Sequence, residues 1–408
     1  QSMSRFIVFV LDGFGIGEMH DVASERPQDI GSNTALKLLS AFSDKRLPTL
    51  EKLGLNNIVN CGESVMRPSS SACVGKCQLK HEGCDTFAGH QEIMGSKPKK
   101  PLVKPFCYSI DNIEMALVCE GYSTQRVTQD GQSILLINDC VTVGDNLEAE
   151  LGQVYNMTAN LSKISFDEVQ KIGQIIRNNN DVSRNVVFGG LLPSNQNLID
   201  AIEVRGECIG VNAPKSGAYD KGFKVIHLGY GVDHFVQVPE MLNERGISTV
   251  LVGKVADIVH NPYGVSHKKL SDTDEICRIS IEELSKSEDG FFCINVQETD
   301  LAGHQQDPEA YWTTLSKADR GLQEILKMMN KGDVLVVTAD HGNDPYIGHG
   351  KHTRENTPLL VYGKQIEAGD IGERMSLADI GATVCDFFDA DAPEFGESFL
   401  PLLNWITE

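Results

Sequence analysis

The stretch RFIVFVLDG at residues 5–13 decides how the rest of the chain is read. Behind Arg5 come six apolar residues, rich in β-branched and aromatic types, and then Asp12-Gly13. A run with no polar alternation is a strand covered on both faces, and such strands belong to parallel sheets packed between helices. The same texture returns at residues 248–252, 290–296 and 333–338, each followed by a polar turn: Gly253-Lys254, Glu298-Thr299-Asp300 and Ala339-Asp340-His341. Between such runs lie helical signals. Pro48 to Gly54 has Pro in its first turn and Gly at its end, and Leu377 to Phe388 places apolar residues at helical spacing. The expected fold is α/β, with a mainly parallel sheet flanked by helices.

In open sheets of this kind, ligands bind outside the carboxyl ends of the strands. Three apolar strands here deliver a carboxylate at or just past that end: Asp12, Asp300 and Asp340. Residues far apart in the chain are therefore expected to converge on one rim. Residues 97–231 differ in texture, with polar turns such as Asn178-Asn179-Asn180, Gly-rich loops and shorter apolar runs. They read as an inserted, smaller α/β cap domain, leaving 3–96 and 232–408 to build the core. Pro98, Pro101 and Pro105 mark one boundary and Gly229-Tyr230-Gly231 the other.

The chain has 408 residues, 41% of them hydrophobic, which is an ordinary globular composition. With 36 Lys and Arg against 57 Asp and Glu, its formal charge is −21. So acidic a surface argues against nucleic acid and anionic membranes as partners. It also requires a site for any anionic substrate to be made positive locally. No apolar run approaches the ~18 residues of a membrane span. The first residues carry no signal-peptide pattern, Gln1-Ser2 ahead of Met3 reads as a tag remnant, and a cytoplasmic location is expected. The eleven Cys have no paired spacing and are expected as reduced, mostly buried thiols.

Asp300-Leu-Ala-Gly-His304, Asp340-His341-Gly-Asn343-Asp344 and His352 complete a set of three carboxylates and three imidazoles with Asp12. Any one of them alone is ordinarily a cap, a turn former or a loop histidine. Together, placed after apolar strands, they suffice for two divalent ions with three ligands each. A mixed carboxylate–imidazole set suits Mn, Zn or Fe. Paired ions about 3.5–4 Å apart are a common device of phosphoryl transfer. In Asp85-Thr86-Phe-Ala-Gly-His90-Gln91-Glu92, Thr86 reads either as a helix N-cap or as a hydroxyl that a bound ion activates as nucleophile. Lys254, at a strand end, is a reasonable phosphate partner. Asn343 and Asp344 read as residues that orient ligands, and Arg354 with Glu355 as a structural pair.

The motifs VLDGFGIGE (10–18), DTFAGHQEIMG (85–95), VGKVADI (252–258), DLAGH (300–304), TADHGNDP (338–345), HTRENTPLL (352–360) and ADIGATV (378–384) occur in one order. In this the chain resembles the phosphopentomutase family, within the alkaline phosphatase superfamily of binuclear metalloenzymes. The resemblance covers the core on both flanks, about two-thirds of the chain, and is weak in the insert. It implies an alkaline-phosphatase-like core and a phosphorylated Thr86. Asp12, Asp340, His341 and Thr86 would hold one metal, and Asp300, His304 and His352 the other. Lys254 would contact substrate phosphate. The implied reaction moves a phosphoryl group between positions 1 and 5 of ribose or 2-deoxyribose. The implied cofactors are two Mn²⁺ ions, with Mg²⁺ or Zn²⁺ as alternatives, and a sugar bisphosphate activator.

The chain departs from the family at two places. Gln91 stands where the family has Trp after Gly-His, and the arginine-rich sugar-phosphate run of the insert is missing. The corresponding residues, 210–224, offer Lys215 and Lys221, with Arg205 nearby. Val141 to Asn146 reads equally as a substrate loop or a plain turn. Besides a mutase for another sugar phosphate, two rival functions share the same residues: a phosphatase or phosphodiesterase, in which water takes the phosphoryl group, and a non-catalytic binder of a sugar phosphate or a partner protein. The intact ligand set disfavours the second, and Thr86 in place of Ser disfavours a cofactor-independent phosphoglycerate mutase. Oligomeric state is left open by the sequence.

Overall fold

The computed structural model describes residues 3–148 and 151–407, so Gln1 and Ser2 lie outside the described residues. The chain divides into two compact units, Gln1–Pro98 with Asp233–Glu408, and Lys99–Val232.

The first unit is built on an eight-stranded sheet. Its order is Val265–His267, Thr249–Val252, Gly290–Val296, Arg5–Leu11, Val334–Thr338, Thr357–Tyr362, Cys73–Cys77, Gly369–Arg374. Arg5–Leu11 is central and buried at every position. It pairs in parallel with Gly290–Val296 on one side and Val334–Thr338 on the other, with Leu11 opposite Val296 and Val10 opposite Thr338. Successive side chains serve opposite faces. Ile7, Phe9 and Leu11 join a core containing Leu38, Leu50, Trp312 and Leu322. Phe6, Val8 and Val10 join a second core with Leu377, Ile380 and Val384. This two-sided burial is what the uninterrupted apolar run encodes.

Thr357–Tyr362 is the exception to the parallel sheet. It runs antiparallel to both neighbours. Its amino end therefore lies at the rim where its neighbours have their carboxyl ends. The residues just before it, His352 to Glu355, reach the same rim as Asp12 and Asp340.

One sequence expectation is corrected here. Glu298-Thr299-Asp300 is not a loop but opens the helix Glu298–His304. A helix places residues four apart on one face, so Asp300 and His304 point the same way.

The second unit has a six-stranded sheet in the order Lys224–Gly229, Arg184–Gly190, Val154–Asn160, Val141–Asp145, Gln132–Ile137, Thr124–Gln129. Helices Ile110–Cys119 and Phe166–Arg177 supply Ile113, Leu117, Ile172 and Ile176 to its core, and a two-stranded hairpin, Ile202–Arg205 with Cys208–Val211, completes it. Val141–Asp145 is a fully buried strand, which corrects the loop-or-turn reading. All eleven cysteines are free and eight are buried. Among the described residues no helix is long and apolar enough to cross a membrane.

Candidate metal centre

The rim is tied together by its own backbone. Asp12 donates its N–H to Val296 O at 3.0 Å, and Thr299 Oγ1 donates to Asp12 O at 2.5 Å, which fixes Asp12 against the Gly290–Val296 strand. Gly13, at φ +77°, turns the chain away from the sheet; a Cβ there would stand 2.9 Å from Asn343 Cβ. The helix Thr86–Ile93 is N-capped by Asp85, whose carboxylate accepts from Ala88 N at 3.2 Å. Thr86 is therefore not the cap. It is the first helical residue, and its hydroxyl is free to donate to Asp340 Oδ2. Gly89 lets this helix lie against Asp340: a Cβ there would meet Asp340 O at 2.8 Å.

Two overlapping donor sets result. Asp12, Asp340 and His341 offer ligand atoms within 4.8 Å of one another, and so do Asp300, His341 and His352. His304 Nε2 joins the second set, 3.2 Å from Asp300 Oδ2 and 3.1 Å from His352 Nε2. The rings of His341 and His352 stack at 3.7 Å between centroids.

The imidazole tautomers test whether this set suits a cation. His304 Nδ1 lies 2.7 Å from Gly350 O, His341 Nδ1 2.8 Å from Gly342 O, and His352 Nδ1 2.7 Å from Cys84 O. A carbonyl only accepts, so each Nδ1 carries the proton and each neutral ring presents a bare Nε2. Those three Nε2 atoms face carboxylate oxygens at 3.1–3.3 Å. Lone pairs facing lone pairs in a buried site repel unless positive charge, a second ring proton or a metal ion, sits between them. Asp12 Oδ1 and His341 Nε2 are buried without a hydrogen-bond partner. The donor set fits divalent ions.

The electrostatics agree. Burial, then the nearby Asp340 and Asp300, push the Asp12 carboxyl above its usual range. Burial works against the Asp300 charge, but the neighbouring His304, His352 and His341 outweigh it when they carry a second proton on Nε2, and hold the carboxyl well below the usual range. Asp340 is held low against burial chiefly by the charge of His341. His341 is pushed far up: burial opposes its charging, but Asp340 and Asp12 more than compensate. The field that draws a proton to His341 Nε2 also draws a metal ion. Lys254 heads the short helix Lys254–Ile258, with Nζ 3.9 Å from Asp12 Oδ2 and 3.8 Å from Asp300 Oδ2.

Other expectations sort as follows. Asn343 Nδ2 donates to Asp300 Oδ1 at 2.8 Å and to Asp300 O at 3.1 Å, so it orients that carboxylate. Asp344 faces Lys37, at 2.6 Å, and Asn33 N. Arg354 and Glu355 are not a pair. Arg354 binds Asp21 and the carbonyls of Leu79, His81 and Gly83, whereas Glu355 accepts from Thr34, Thr353 and Gly17. Arg205 lies in the second unit, donating to Leu147 O at 2.7 Å and facing Glu203. Lys215, in the helix Ala213–Ser216, and Lys221 lie there too. Two residues were missed. His90 Nδ1 lies 2.9 Å from Thr86 O, and Asn295 Nδ2 stands 2.9 Å from His90 Nε2 and 3.1 Å from Asp12 Oδ2. An Asn inside the apolar run GFFCINV was the available signal.

A model of the metalloenzyme superfamily matches residues 4–392. The chain is 30% identical to a phosphopentomutase of Clostridium kluyveri, over 98% of this chain and 100% of that one. It is 31% identical to a phosphopentomutase of Symbiobacterium thermophilum, over 98% of each. The chain belongs to the phosphopentomutase family of the metalloenzyme superfamily. It is an enzyme, a phosphopentomutase-like isomerase, on a mixed α/β core with a large, mainly parallel sheet. Membership of a metalloenzyme superfamily implies divalent metal ions, and the chain brings together side chains that could hold them. Among solved structures, a phosphoglycerate mutase of Leishmania mexicana aligns at TM-score 0.46 and 12% identity, over 99% of this chain and 98% of that one.

Proposed function

We propose that this family member moves a phosphoryl group between positions 1 and 5 of ribose or 2-deoxyribose through a phosphothreonine at Thr86. The observation that carries the reading is the Thr86 hydroxyl donating to Asp340 where the two donor sets meet. Asp12, Asp340, His341 and Thr86 hold one divalent ion, and Asp300, His304 and His352 the other. The mixed set suits Mn²⁺, with Mg²⁺ and Zn²⁺ as the alternatives to assay. Bound there, such ions neutralise phosphoryl oxygens and ease deprotonation of the Thr86 hydroxyl.

The chain's own residues do the rest. Asp340 Oδ2 accepts the Thr86 hydroxyl hydrogen bond and so orients Oγ1, and as Thr86 takes up phosphate the hydroxyl proton passes to the sugar oxygen that is released. Lys254 Nζ binds a phosphate of the substrate. The 97–231 region acts as a cap that excludes water, with Arg205, Lys215 and Lys221 supplying cations in place of the missing arginine run. A sugar 1,5-bisphosphate primes Thr86. The partner is thus a small phosphorylated sugar, and the free, mostly buried thiols accord with a cytoplasmic enzyme.

The test supplies Mn²⁺, ribose 1-phosphate and a trace of ribose 1,5-bisphosphate. Ribose 5-phosphate should appear, with phosphate on Thr86 by intact mass. Release of inorganic phosphate alone would mark a hydrolase and overturn the mutase reading. Thr86→Ala should lose at least about 10⁴-fold in turnover while keeping both ions. Turnover near the wild-type rate would remove Thr86 as the nucleophile.

A further inference from the structure

A buried polar tie lies outside the reacting groups. Gln91, on the helix headed by Thr86, accepts at Oε1 from Gln237 Nε2 at 2.5 Å. Its own Nε2 donates at 3.2 Å to the carbonyl of Ile258, which ends the helix headed by Lys254. Gln237 Nε2 also donates to Ser96 Oγ at 2.9 Å. All three side chains are at most 5% exposed, and Gln237 Oε1 has no partner. The main chain repeats the link, Val238 N donating to Met94 O at 3.0 Å.

The positions of these residues matter. Ser96 stands just before the chain leaves the first unit at Pro98, and Gln237 just after it returns at Asp233. Two amides, Gln237 and Gln91, therefore join the roots of both crossings to each other and to the helices carrying Thr86 and Lys254. Apolar side chains would fill this volume without the cost of desolvating three polar groups. What the buried hydrogen bonds give in return, even with Gln237 Oε1 unpaired, is a fixed geometry.

We infer that the Gln91–Gln237–Ser96 tie holds the Thr86 and Lys254 helices in fixed relation to the two crossings, and so reserves the phosphoryl group on Thr86 for the sugar; this rests on the reading of Thr86 as the phosphorylated residue. The competing step is hydrolysis. The oxygen of water bonds to phosphorus as the Thr86 Oγ1–P bond breaks, one proton goes to Oγ1, and inorganic phosphate leaves. These are positioning residues, since none of them contacts the Thr86 hydroxyl.

The experiment uses the full chain loaded with Mn²⁺ and phosphorylated by ribose 1,5-bisphosphate. Wild type, Gln91→Leu, Gln237→Leu, the double variant and Ser96→Ala are compared. Phosphate release without acceptor and transfer to ribose 5-phosphate are both measured, with Tm alongside. Each Leu single costs the remaining buried amide one hydrogen bond and lowers Tm, and the double, apolar on both sides, recovers most of it. The hydrolysis-to-transfer ratio should rise roughly ten- to hundredfold in the singles and stay raised in the double. Ser96→Ala, which removes the mildest contact, should move the ratio the same way. A ratio that returns to wild type with Tm, or never moves, overturns the inference. A wild-type chain that never gains phosphate on Thr86 overturns the parent reading, which is a separate result.

Discussion

At the scale of single residues, the site is governed by which nitrogen of each imidazole bears hydrogen. Backbone carbonyls claim Nδ1 of His304, His341 and His352, so the three Nε2 atoms are left to face carboxylates and to take up a proton or a metal ion. Asn343 holds the Asp300 carboxylate in place through its amide. Asn343→Ala should weaken divalent-ion binding about 10–100-fold, read by titration calorimetry with Mn²⁺; unchanged affinity would show that Asp300 is oriented without it. Much of this was legible because Asp12 and Asp340 follow apolar strands directly. His90 was not, since nothing in the sequence says that its ring meets Asn295 and the carbonyl of Thr86. Arg354 and Glu355 were misread as partners because neighbours in sequence at a strand's entry point to opposite sides.

At the scale of elements, strand existence was legible and strand direction was not. RFIVFVL, GFFCINV and DVLVVT announce themselves by unbroken apolar character, which depends on burial alone. Thr357–Tyr362 runs the other way because it folds back on Val334–Thr338, the strand before it, and pairs with the distant Cys73–Cys77, and its own apolar pattern does not encode that. Val141–Asp145 escaped as a strand because Gly144 and Asp145 look like turn residues. In the structure Asp145 is buried, accepting from Phe106 N at 3.0 Å and Ile209 N at 2.9 Å. Burial pushes its carboxyl up to about 6. Such a group is at no disadvantage below the ordinary carboxylate value and destabilises increasingly as pH rises through that value toward 6. The stability of wild type relative to Asp145→Asn should therefore fall by up to about 1.4 kcal/mol per pH unit between roughly pH 4 and 6, and level off above. Urea unfolding across that window checks it, and a constant difference would contradict it.

At the scale of the whole molecule, the −21 charge and three crowded carboxylates make the ion-free chain self-repelling. Mn²⁺ at about a hundred times its Kd should add roughly 2.7 kcal/mol for each independent site, seen as a rise in Tm that a chelator reverses. A Tm indifferent to both would deny the ions a place in the fold. Thr86→Ala should show the same rise. The reversed strand Thr357–Tyr362 also sets a timetable. Residues 340 to 352 leave the sheet and come back to the same edge, so Asp340, His341 and His352 are emitted by the ribosome almost together. Of the proposed ligands, only Asp12 and Thr86 exist before residue 300 is made. On that ligand set the second ion has its full complement of donors only once translation has passed His352.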